Sequence, residues 1–161
     1  MNYPFAKHAD VQTIENEMPL SDRWMAKTVF QQLCQTRDSY GERPAISFQL
    51  KSGPKDKKTT LNYSELTDRV AQAANLFRSL GVGPDDVVAY LLPTSHETWI
   101  TMLGGMTAGI VAPINPTLSP EHISALLKEV NAKGLVTMRQ FPKTDVAKLA
   151  HAAGAGAERV E

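Results

Sequence analysis

Two continuous apolar runs, Val87–Leu92 and Gly109–Ile114, flank a helical stretch over Glu97–Ala108. Strands that are apolar on both faces are covered on both faces, so this pattern predicts neighbours in the middle of a parallel sheet. Trp99, Ile100, Met102, Leu103 and Met106 place apolar side chains nearly all round the intervening helix, which predicts a buried helix.

The pattern before this unit is more local. Residues 1–27 carry scattered large side chains, among them Tyr3, Phe5, Ile14, Met18, Leu20 and Trp24, without a period. They predict an N-terminal extension that docks Trp24 on the body. Thr28 and Gln31 have capping-box spacing, and Phe30, Leu33, Cys34 and Arg37 follow on one helical side, with Gly41 as a left-handed stop. Pro44–Lys51 alternates with period two, placing Ile46, Phe48 and Leu50 on one face. A polar turn and a short strand at Thr59–Leu61 complete a hairpin at a sheet edge. Asn62 and Glu65 cap the next helix, whose stripe is Leu66, Val70, Ala73, Phe77 and Leu80. Gly81 ends it.

Beyond the central unit, Ser119 as cap and Pro120 at the first helical position open a helix with a stripe of Ile123, Leu126, Leu127 and Val130. Gly134–Met138 is a short strand. A weaker helix over Thr144–Ala153 rests on Val146, Leu149 and Ala150. Arg159, Val160 and Glu161 begin a strand that the chain does not finish. The fold class is therefore α/β: three layers, a mostly parallel sheet with helices on both faces, and an antiparallel edge hairpin.

Composition narrows the function classes. Lys plus Arg and Asp plus Glu both number 17, so no net field recommends nucleic acid or an anionic membrane. The single cysteine, Cys34, excludes a disulfide framework and sits on an apolar stripe as a small hydrophobe. The N-terminus lacks an apolar secretory core and no apolar run is long enough for a transmembrane segment, so a cytoplasmic protein is expected.

Candidate chemistry is thin. In parallel sheets ligands collect at the carboxyl ends of strands, here Pro93-Thr94-Ser95, Asn115-Pro116-Thr117 and Met138-Arg139. Thr94 and Ser95 read as caps for the central helix, and Asn115 as the closure of a turn before Pro116. His8, His96, His122 and His151 lie on different elements without metal-ligand spacing. The GVG of Gly81–Gly83 closes a helix rather than opening one, so it is a turn and not a phosphate loop, with Asp85 and Asp86 exposed. Lys51, Lys55, Lys57 and Lys58 read as a solvated hairpin tip. No catalytic, cofactor-binding or metal residue is assigned.

The stretches TVFQQLCQTRDSYGERPAI, LNYSELTDRVAQAANLFRSLGVGPDDVVAYLLP and MTAGIVAPINPTLSPEHISALLKE resemble the N-terminal part of an AMP-forming acyl-CoA synthetase, one of the adenylate-forming enzymes. Leu61–Leu66 resembles the family's early Leu-Thr-Tyr-x-Glu-Leu signature, with Asn62 where threonine is usual. Ala108–Pro116 resembles a second signature. The resemblance implies ATP, magnesium and coenzyme A as cofactors and a carboxylic or fatty acid as substrate. The acid is activated to an acyl-adenylate and then transferred to the thiol. It also implies that the phosphate loop, the adenine and magnesium residues and the lid lysine lie further along. Residues 1–27 are then an extension and residues 28–161 a partial N-terminal subdomain. Such a fragment is expected to bind none of these cofactors tightly, to be inactive alone, and to self-associate through its incomplete sheet. The alternatives are a fragment of an aryl or amino-acid adenylating enzyme, and a self-contained, non-catalytic α/β interaction domain.

Overall fold

The computed structural model describes residues 7–51, 53–139 and 145–154. Two short helices come first, α1 (His8–Glu17) and α2 (Leu20–Arg23). The expected docking of Trp24 is not observed: neither helix buries a residue, and Trp24 is 69% exposed. Polar contacts hold the segment instead, because no apolar face recurs along it. Arg23 donates to the Ile14 carbonyl at 2.7 Å and to Glu17 at 3.1 Å. Gln35 Nε2 donates to the Met25 carbonyl at 2.7 Å.

Helix α3 (Val29–Tyr40) opens as its spacing predicts, with the Thr28 hydroxyl accepting from the Gln31 amide at 3.1 Å. The Gln31 side chain reaches back one residue further than a capping box, to the Lys27 amide at 2.8 Å. The helix ends at Gly41, but with φ −47° the backbone there is right-handed, so the expected left-handed stop is corrected. Glycine is needed for space: a Cβ at Gly41 would stand 2.6 Å from Ser64 Oγ.

Strands β1 (Pro44–Gln49) and β2 (Lys58–Asn62) pair antiparallel, with an irregularity between Pro44 and Ile46. This hairpin is a two-stranded sheet of its own rather than an added edge of the parallel sheet. Leu50 lies past the end of β1 and is 51% exposed, so the apolar face of β1 stops at Phe48.

Helix α4 (Tyr63–Ser79) carries the reciprocal cap its sequence predicts. The Glu65 amide donates to Asn62 Oδ1 at 2.8 Å and the Asn62 amide donates to Glu65 Oε2 at 3.0 Å. It buries Leu66, Thr67, Val70, Ala74 and Phe77. Leu80 falls beyond the last turn and is exposed. Gly81, at φ +86°, is the left-handed stop that follows.

The parallel sheet is built from β3 (Val87–Leu91), β4 (Ile110–Pro113) and β5 (Ala132–Thr137), in the order β4-β3-β5. Only β3 meets the expectation of a strand covered on both faces, with Val88, Ala89 and Leu91 buried. Among the described residues β4 is an edge strand, and Ile110 at its start is exposed. Val88 packs with Ala74, Phe77, Val82 and Ala108 on the face covered by α4 and α5 (His96–Ala108). Ala89 and Leu91 pack with Ile114, Ile123, Leu127, Ala150 and Ala153 on the other face, under α6 (Pro120–Glu129) and α7 (Val146–Gly154). Helices therefore cover both faces, as the α/β pattern predicts.

The central helix α5 is not buried all round. It turns its small side inward: Thr101, Gly104, Gly105 and Ala108 are buried, whereas Trp99 and Met106 are 43% and 44% exposed. Close approach selects that face. A Cβ on Gly104 would lie 2.6 Å from Ala73 Cβ, and one on Gly105 would overlap Val111 Cγ1. The strand expected at Arg159–Glu161, like Thr144, lies outside the described residues.

Candidate functional site: the carboxyl edge of the parallel sheet

Because β3, β4 and β5 are mutually parallel, their three exits lie along one edge. The exit of β3 passes through Pro93 and Thr94 into α5. Ser95 occupies the cap position and is 3% exposed, yet its side chain accepts no amide of the helix. Its Oγ stands 3.4 Å from Thr98 Oγ1, and the Thr98 hydroxyl donates to the Pro93 carbonyl. The expected serine cap is thus replaced by a threonine that folds back on the loop from inside the helix.

The exit of β4 behaves as its sequence predicts. Asn115 Oδ1 accepts from both the amide and the hydroxyl of Thr117, each at 2.9 Å, which closes the turn around Pro116. Ser119 caps α6 by accepting from the His122 amide at 3.4 Å, and its Oγ lies 3.3 Å from His122 Nδ1. A hydrogen bond from the Ser119 side chain, followed by a backbone contact, holds the Glu121 carboxyl below its ordinary range. At the third exit the Thr137 hydroxyl donates to the Leu91 carbonyl at 3.2 Å and ties β5 to β3.

His96 is what the sequence did not single out. It is the first residue of α5 and 8% exposed, and its Nε2 is buried without a hydrogen-bond partner. The Phe48 ring of β1 meets it edge-on, with centroids 6.0 Å apart and planes at 64°. Nothing near His96 in the sequence signals this, since Phe48 arrives from a separate hairpin. The four histidines do not converge, and among the described residues no three His, Cys, Asp or Glu side chains are placed to hold a metal ion. The β3–α5 loop contains no glycine to let a backbone cradle phosphates. No chemical step is assigned to these residues.

The opposite, amino edge is structural. Asp86, expected to be exposed, is half-buried. Its Oδ2 accepts from Lys133 Nζ and from the Gly83 amide, both at 2.7 Å. The Lys133 hydrogen bond, then that of the Gly83 amide, lowers the Asp86 pKa. The GVG turn is thus latched by a carboxylate, which supports its assignment as a turn. Beside it lies a cleft of about 450 Å³ lined by Val82, Gly83, Pro84, Met106 and Arg78 among others, where Arg78 donates to the Thr107 carbonyl at 2.8 Å.

The family model described as AMP-binding enzyme matches residues 34–160. The marinolic acid–CoA ligase of Pseudoalteromonas sp. (strain SANK 73390) is 33% identical over 130 residues, covering 81% of this chain and 20% of that protein. Tyrocidine synthase 3 of Brevibacillus parabrevis is 39% identical over 79 residues, 48% of this chain and 1% of the synthase. A solved fatty acyl CoA synthetase of Mycobacterium tuberculosis shares the fold with a TM-score of 0.67 at 21% identity, over 81% of this chain and 24% of that one. The chain thus spans about a fifth of the length of the first of these relatives.

Proposed function

The chain belongs to the AMP-binding enzyme family, and from that premise we propose that it is part of an AMP-forming acyl-CoA synthetase. Such an enzyme joins a carboxylic or fatty acid to ATP as an acyl-adenylate and passes the acyl group to coenzyme A, with magnesium as the metal. The observation that carries this choice is the match to a CoA ligase along most of the chain. The match to tyrocidine synthase 3 is shorter and favours the second reading, amino-acid adenylation.

In this proposal residues 1–27 are an extension and residues 28–161 form part of an N-terminal subdomain in a cytoplasmic enzyme. The chain supplies scaffold: β3 and its covering helices hold the carboxyl edge in place, and no catalytic, cofactor or metal residue is assigned within it. By itself it binds the cofactors weakly and turns nothing over. The exposed Trp99, Met106 and Ile110 support self-association when the chain is studied alone.

The test is carboxylate-dependent ATP–pyrophosphate exchange by the protein encoded by the full reading frame, with coenzyme A-dependent AMP release as a second readout. Fatty-acid-dependent exchange with thioester formation is expected. Exchange driven by amino acids without a coenzyme A requirement replaces this reading with the second. Exchange by residues 1–161 alone overturns the scaffold assignment.

A further inference from the structure

The β1–β2 hairpin packs against the amino-terminal ends of α4 and α5. At one end Asn62 opens α4; at the other, Phe48 meets His96 at the start of α5. Both helix starts face the edge where the strands exit. The last paired residues are Gln49 and Lys58, and the tip runs on beyond them. It carries Lys51, Lys55 and Lys57, with Lys58 at its base, all exposed.

Gln49, Gly53 and Asp56 hydrogen-bond to one another, but the tip is electrically unbalanced. Its one carboxylate, Asp56, accepts from the Gly53 amide at 2.9 Å, and Gln49 Nε2 donates to the Gly53 carbonyl at 2.7 Å. None of the four lysines takes part in the ion pairs found among the described residues. Exposed Leu50 stands next to Lys51. The whole chain is neutral, so this tip is a local positive pole rather than part of a basic surface.

We propose that the β1–β2 tip is a membrane-contact element that takes an anionic lipid surface. Four clustered lysines beside an aliphatic side chain match what such a surface recognises: counter-charge from several headgroups at once and one apolar residue at the boundary. A nucleic acid fits less well, because the tip carries no aromatic side chain on which a base stacks. The assignment stands apart from the enzymatic reading above.

The test is co-sedimentation of the purified protein with vesicles of phosphatidylcholine alone and of phosphatidylcholine with phosphatidylglycerol, at low and high salt. Binding to the anionic vesicles alone is expected, weakening as salt rises, with about a fivefold loss in partitioning for each lysine neutralised. The triple variant Lys55→Glu, Lys57→Glu, Lys58→Glu abolishes it, and Leu50→Ser reduces it. The control Lys27→Glu, Lys148→Glu, also at exposed positions, leaves it nearly intact. Equal binding to both vesicle types, unchanged binding by the triple variant, or an equal loss in the control overturns the proposal. So does tighter binding to a DNA duplex than to anionic vesicles at the same salt.

Discussion

Gly104 lies so close to Ala73 that a Cβ on the glycine would stand 2.6 Å from the alanine's own Cβ. The same Cβ would also stand 3.2 Å from the Ala74 amide nitrogen and 3.3 Å from the Val70 carbonyl oxygen, and backbone cannot step aside as a side chain can. Gly104→Ala should therefore destabilise the protein by about 1–3 kcal/mol from overpacking, even though alanine gains about 1 kcal/mol of intrinsic helix propensity. Adding Ala73→Gly should return only part of the loss. Urea denaturation decides this, and a stabilising Gly104→Ala would show that α4 and α5 are not held this close.

The Asn62–Glu65 cap satisfies two amides reciprocally at the start of α4. Asn62→Ala should cost about 1 kcal/mol, and Asn62→Thr less, since threonine keeps an acceptor oxygen. Glu65→Ala in the Asn62→Ala background should add less than it costs alone, because the two residues share one motif. Thermal melts of the four proteins give the coupling directly.

Asp86 has a folded pKa lowered by Lys133 and by the Gly83 amide. A lowered carboxylate contributes stability above its unfolded pKa, about 3.9, and loses that contribution as pH falls through the folded value. The melting temperature of the parent should thus exceed that of Asp86→Asn at neutral pH, and the gap should close below about pH 4. A gap that persists into acid would assign the stabilisation to something other than the charged latch.

His96 buries a nitrogen that nothing satisfies. Removing such an atom while filling its volume recovers part of a desolvation penalty of about 1–3 kcal/mol. His96→Leu should consequently raise the unfolding free energy, and His96→Ala should lower it by leaving a cavity against Phe48. Stability lost equally in both variants would mean that the ring nitrogen has a partner in solution.

What could be read from the sequence was local. The caps at Thr28, Asn62 and Ser119, the helix stop at Gly81 and the Asn115 turn each depend on residues within three positions of one another, and each formed where predicted, although the left-handed backbone expected at Gly41 appeared at Gly81 instead. The orientation of α5 was not readable, because an all-round apolar composition does not say which side meets a neighbour. The two glycines decided it through contacts with Ala73 and Val111. Likewise Phe48 against His96, and Lys133 against Asp86, join segments that no periodicity links. The alternation that predicted the hairpin was sound, but alternation within a strand does not say which sheet the strand joins.

The strand order β4-β3-β5 also sets a sequence of events in time. Strand β3 gains β4 after one helix has been made, but it meets β5 only after a second crossover, with Lys133 clasping Asp86 across 47 residues. Closing the longer loop costs more entropy before any contact rewards it. The α4–α5 layer should therefore assemble first, and the α6–α7 layer should condense onto its bare face. In stopped-flow experiments Gly104→Ala should slow folding, whereas Leu127→Ala should chiefly hasten unfolding. On a ribosome, the chain would carry one finished face while the other waits to be translated.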